Sequence, residues 1–90
     1  MTKVFKFPLK IEDEQDILMP VGAKVLTVQV QNGVPCLWAE CNPDAECVYR
    51  TFLIRGTGHP IDDEIEKEYI GTIQLYGGSL VLHVFEVKNL

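Results

Sequence analysis

Six consecutive residues, Arg55, Gly56, Thr57, Gly58, His59 and Pro60, put a guanidinium, a hydroxyl and an imidazole around two glycines. An apolar, strand-like run at residues 51–54 leads into them. A glycine-flanked loop after a strand can aim successive backbone N–H groups inward and form a concavity that holds an anion. In that reading Gly56 and Gly58 provide the permissive backbone, Thr57 a hydroxyl, and Arg55 and His59 further donors. The stretch lacks the length and the lysine of a Walker A loop, and no dinucleotide-binding pattern surrounds it. The other reading is a tight turn, with steric glycines and a His59 that caps a backbone group. The residues alone leave both open.

Three further side chains are candidates to support such a ligand. His83 alternates with Val81 and Phe85, so it shares a face with apolar neighbours and suits a core, an interface or a ligand contact. Trp38 lies mid-strand between Leu37 and Ala39; its ring can pack in the core or stack a base. Arg50 follows Tyr49 in the next apolar stretch. If Val34–Cys41 and residues 47–54 pair around the turn between them, Arg50 and Tyr49 lie beside Trp38 and Glu40. Glu40 and Arg50 then form a cross-strand ion pair on the solvent side. Two histidines without a third ligand make no zinc site, and nothing indicates another metal or a cofactor. Nucleophilic catalysis needs a nucleophile beside a base that a third group orients. Thr57 and His59 are too close in sequence for that geometry. The carboxylates gather at residues 12–16 and 62–68, where they read as solvated charge. The expectation is binding without turnover.

The elements that must position these residues are strands, because the apolar pattern repeats every second residue almost throughout. "VFKFPLKI" alternates, and Pro8 confines it to an edge or a bulge. "EDEQD" reads as an acidic turn and "ILMP" as a short second segment. "KVLTVQVQ" and "VPCLWAEC" flank Asn32 and Gly33, a strong two-residue hairpin signal. Residues 42–46, "NPDAE", carry turn chemistry, and "CVYRTFLIRG" follows as a strand. "IDDEIEKEY" suggests one or two helical turns capped by Asp62 or Asp63. "IGTIQLY" and "LVLHVFEV" make a last hairpin across Gly77 and Gly78. Six or seven short strands, mainly antiparallel, predict a single all-β domain over residues 1–90: a compact β-sandwich or an open barrel. Residues 80–85 are apolar on both faces, which suits a central strand or half of an interface between copies. So small a domain has little material to cover both faces, and a homo-oligomer is expected.

The chain has 90 residues, a net charge of −5 and 47% hydrophobic residues. That acidity argues against duplex DNA or RNA as a partner, where affinity rests on phosphate neutralisation by Lys and Arg. No stretch approaches the ~20 apolar residues of a membrane span. "MTKVFKFPLK" has no continuous apolar core of a signal peptide. Cys36, Cys41 and Cys47 fit no zinc spacing and leave an odd thiol, so free thiols in a reducing cytoplasm are expected. Cys36 and Cys41 point to opposite faces of one strand, whereas Cys41 and Cys47 flank a turn across which they could pair.

"NGVPCLWAECNPDA", "FLIRGTGHPI", "YIGTIQL" and "GGSLVLHVFE", with "VFKFPL" and "MPVGAKVLTVQVQNG" before them, resemble a widespread family of small phage and prophage proteins. The likeness covers nearly the whole chain. It departs at "DDEIEKE", which is longer or more acidic than that pattern. The resemblance implies a phage origin, a β-rich fold and a place of action in the host bacterial cytoplasm. It supplies no reaction. Small oligomeric phage proteins often counter host defence, some by sequestering nucleotide-derived signals, and by that analogy the glycine loop would hold a small nucleotide-like anion. Two alternatives stand beside it: an interaction module that inhibits a host defence enzyme through its acidic surface, and a virion or assembly component.

Overall fold

A computed structural model describes residues 1–89 as seven strands and one short 3-10 turn. The strands are β1 (Lys3–Pro8), β2 (Glu14–Pro20), β3 (Lys24–Gln31), β4 (Val34–Cys41), β5 (Cys47–Gly56), β6 (Lys67–Leu75) and β7 (Leu80–Val87). They form two antiparallel sheets, of order β1-β4-β3 and β2-β5-β7-β6, that do not close into a barrel. The all-β expectation holds, and of its two forms the sandwich is the one adopted.

Alternation along each strand decides the layers. Leu37, Ala39 and Cys41 of β4 and Val28 of β3 turn inward from one sheet. Met19, Phe52, Ile54, Ile73, Leu75, Leu82 and Val84 meet them from the other. Phe52, Leu37 and Val84 are fully buried, and each such side chain contributes roughly 1.5–3 kcal/mol by leaving water. The β3–β4 hairpin turns at Asn32 and Gly33, both at positive φ (50° and 79°), as a type I′ turn requires. On one side the sheets meet along β3 and β6. A bulge in β6 between Tyr69 and Gly71 brings Gly71 against Val28, where a Cβ would stand 2.8 Å from Val28 Cγ1.

Four expectations are corrected. β4 and β5 do not pair: residues 42–46 carry the chain from one sheet to the other, and β5 lies between β2 and β7. The apolar faces of β4 and β5 therefore oppose each other across the core instead of lying side by side. As a result Glu40 and Arg50 form no ion pair. Glu40 Oε2 accepts a hydrogen bond from Thr2 Oγ1 at 2.6 Å, and Arg50 finds its carboxylate in Glu86. No helix follows the glycine loop. Asp62 closes a single turn, its Oδ1 accepting from the Glu64 N–H at 2.9 Å. The chain is then drawn into the sheet, with the Lys88 N–H donating to Glu66 O and β6 beginning at Lys67. Finally, the run 12–16 is only half a turn: β2 begins at Glu14, while the Gln15 side chain bridges the N–H and the carbonyl of Lys10.

The apolar character of β7 on both faces follows from its central place in the four-stranded sheet. Leu82, Val84 and Glu86 face the core, and Val81, His83 and Phe85 lie half-buried on the outer face. All three cysteines are free thiols; Cys36 and Cys41 are buried and Cys47 is exposed. Among the described residues no helix is long and apolar enough to cross a membrane.

Candidate functional site

β5 sends even-numbered side chains into the core and odd-numbered ones outward, so Arg55 lies on the outer face beside the end of the strand. His83 of β7 is its register partner, and Thr72 of β6 is the partner of His83. The three residues make one row across the sheet. The glycine turn then folds Thr57 back onto it. Thr57 Oγ1 lies 2.7 Å from His83 Nε2, and Thr72 Oγ1 lies 3.0 Å from His83 Nδ1. Tyr69 continues the chain, its hydroxyl 2.6 Å from Thr72 Oγ1.

Neutral imidazole has one donor and one acceptor nitrogen, and a hydroxyl can play either role. Either tautomer of His83 therefore satisfies both threonines. The imidazolium does so as well, because each hydroxyl oxygen can accept. The linked groups Thr57, His83, Thr72 and Tyr69 can reorient their protons without moving a heavy atom.

Two residues along from His83, Phe85 lies beside Tyr69, with ring centroids 5.7 Å apart at 58°. Lys67 Nζ stands 6.0 Å from the Phe85 ring centre. An aromatic surface thus adjoins the polar row at about 7 Å, the spacing of two residues along a strand. Arg55 Nη1 donates to Asp13 O and Ile54 O, which fixes the guanidinium, while its Nε and Nη2 groups make no hydrogen bond among the described residues.

The loop itself is a turn. The His59 N–H donates to Gly56 O at 3.1 Å, and Gly58 sits at φ +84°, the sign a type II turn needs at its third residue. The His59 N–H is thus engaged within the turn. The His59 ring rests on Gly56, where a Cβ would stand 2.9 Å from Cε1. A cleft of about 410 Å³, lined by Gly56, Thr57, His59, Ser79, Leu80 and Val81, opens beside the turn at the end of the polar row. Pro60 follows, exposed, and leads the chain away.

The structure brings Arg55, Gly56, Thr57, Gly58, His59, Pro60 and His83 to one end of the four-stranded sheet. It does not bring Trp38 or Arg50 there. Trp38 lies half-buried in the three-stranded sheet between Lys6 and Thr27. Arg50 lies five residues before Arg55, roughly 17 Å along the strand, and points into the core. Thr72 and Tyr69 are functional candidates that sequence reasoning missed. The signal for Thr72 was present: counting outward from the hairpin at Gly77 and Gly78 places it opposite His83. Among the described residues no group of three or more His, Cys, Asp or Glu could hold a metal ion.

Fold and site together define a small antiparallel β-sandwich with a polar row on one outer face and a cleft at its end. Over residues 1–90 the chain matches the family described as Domain of unknown function (DUF7352), and it belongs to that family. Neither a curated protein nor a solved structure matches it.

Proposed function

We propose that the protein is a phage-type binding protein that captures a small nucleotide-like anion without turnover and so counters a host defence signal in the bacterial cytoplasm. One observation carries the reading: the cleft beside the glycine turn is lined by Thr57, which lies against His83, the register partner of Arg55. The free edge of the Arg55 guanidinium offers a charge-assisted contact to a phosphate. Thr57 and the His59 ring offer further polar contacts around the cleft. Tyr69 and Phe85 give a base a surface to stack on, at a distance that suits the span of one nucleotide. Trp38 and Arg50 have no part in this site. A homo-oligomer belongs to the same reading, with a contact that leaves the outer face of β7 free for the ligand.

Calorimetric titration with adenosine and guanosine monophosphates, cyclic dinucleotides and inorganic phosphate tests it. Arg55→Ala should weaken binding by about 1.5–3 kcal/mol, ten- to a hundredfold, at an unchanged melting temperature. His83→Ala should act in the same direction, and Trp38→Ala should leave affinity unchanged. If none of these compounds binds at millimolar concentration, or if Arg55→Ala binds as tightly as the wild type, the reading fails.

A further inference from the structure

A second, smaller cavity of about 190 Å³ also borders His59. Its floor is apolar: Ile54 and Leu82 are almost fully buried, and Leu80 forms one wall. Gly56 leaves the space that the His59 ring fills as the opposite wall. The mouth is acidic. Glu12 and Asp13 line it, and neither carboxylate makes a hydrogen bond or an ion pair among the described residues. An apolar cavity of about 150 Å³ holds a benzene ring, so this one takes a single phenyl or branched aliphatic group.

We propose that this pocket docks one apolar side chain of a basic peptide segment on a partner protein. The apolar floor selects the anchor, as buried anchors in fitted pockets do in protein interfaces. The two unpaired carboxylates select a Lys or Arg next to it, since complementary charge at the rim sets specificity and association rate. The chain's net charge of −5 favours a basic partner in general. The pocket shares Gly56, His59 and Leu80 with the cleft above, while Ile11, Glu12, Asp13, Ile54 and Leu82 line it alone. A partner held here would lie over Ile11 and the turn before β2, next to the His59 ring.

Amide NMR titration with N-acetyl-Leu-Arg-amide and N-acetyl-Leu-Glu-amide tests the proposal. The first should shift Ile11, Ile54 and Leu82, none of which lines the cleft of the anion reading. The second should bind at least about tenfold more weakly, because like charges across an interface repel. The exposed double substitution Glu12→Gln, Asp13→Asn should abolish that discrimination at an unchanged melting temperature. Absence of shifts with Leu-Arg, equal binding of Leu-Glu, or discrimination that survives in the double variant would each overturn it. Adenosine monophosphate in a parallel titration reports on Arg55, Thr57 and His83, so failure of one reading leaves the other intact.

Discussion

Arg50 of β5 and Glu86 of β7 close one end of the sandwich core with two hydrogen bonds, Nε to Oε2 at 2.6 Å and Nη2 to Oε1 at 2.8 Å. The Glu86 side chain is 6% exposed and that of Arg50 18%. Arg50 Nη1 also donates to Ala23 O, which ties down the crossover from β2 to β3. Lys88 Nζ stands 3.1 Å from Glu86 Oε1 and 3.3 Å from Glu68 Oε2, which extends the pair to the surface. A two-oxygen, two-nitrogen pairing of this kind satisfies both charged groups where water is largely excluded.

Removing one partner should be costly and removing both much less so. Arg50→Met strands a buried carboxylate and should destabilise the fold by about 3 kcal/mol, near the lower end of the range for such pairs because Lys88 remains. Arg50→Met with Glu86→Leu removes the desolvation cost on both sides and should recover most of that loss. Urea unfolding of the two variants measures the difference. A single variant that unfolds at the wild-type urea concentration would show that the pair carries no stability.

The pair also sets an acid limit. Burial by itself would raise the Glu86 pKa, but hydrogen bonds from Arg50 and Lys88 and their positive charges outweigh it, so the carboxyl sits below its ordinary value. A carboxylate with a lowered folded-state pKa contributes stability that is complete above its unfolded pKa. That contribution is lost as pH falls through the folded pKa. Wild-type stability should therefore fall as pH drops through and below the ordinary glutamate range, and Glu86→Gln should show a flatter dependence over the same interval. Melting temperatures from pH 7 down to about pH 3 compare the two.

The strands were legible because a period of two is local, and so was the Asn32–Gly33 turn, because its backbone conformation admits few residue types. The partnership of strands was not. Whether residues 42–46 make a hairpin or a crossover depends on which apolar faces bury each other, a choice made across the whole core. That one misreading moved Arg50 from the solvent side into the core and placed Trp38 near the wrong strands. The acidic stretch after Pro60 has helix-capping chemistry at Asp62, yet ladder bonds to the strand end at Lys88 win after one turn. At the candidate site the turn at Gly58 was readable. The link from Thr57 to His83 was not, since it joins residues that are distant in the chain.

Thiol chemistry should separate the cysteines. Burial pushes the Cys41 thiol up from its ordinary value, the nearby Arg50 charge opposing it only in part. Cys36 is buried as well, and Cys47 is exposed. Iodoacetamide on native protein should modify Cys47 first, with Cys36 and Cys41 following only when denaturant opens the sandwich, because the thiolate is the nucleophile and must be reached. Peptide mass mapping at intervals reads the order. Native-state labelling of Cys41 as fast as that of Cys47 would contradict a closed core at that end.

The junction of the two sheets gives the last test. A Cβ at Gly71 would stand 2.8 Å from Val28 Cγ1, whereas one at Gly56 would meet the His59 ring at 2.9 Å. The distances are nearly equal and the consequences should differ. Val28 is 5% exposed, and its branched side chain is stiff at χ1, so it cannot give way without shifting β3. Gly71→Ala should therefore cost about 1–3 kcal/mol, as overpacking of a filled core does. The His59 ring is the far end of an exposed side chain and can swing aside, so Gly56→Ala should stay within about 1 kcal/mol. Trimming Val28 makes room for the new methyl group. The double variant Gly71→Ala, Val28→Ala should thus lose less stability than the sum of the two single changes, by at least about 0.5 kcal/mol of coupling. Denaturant midpoints for the four variants decide it: additive losses at Gly71 and Val28, or a Gly56→Ala variant as damaged as Gly71→Ala, would mean that β3 and β6 do not pack through this contact.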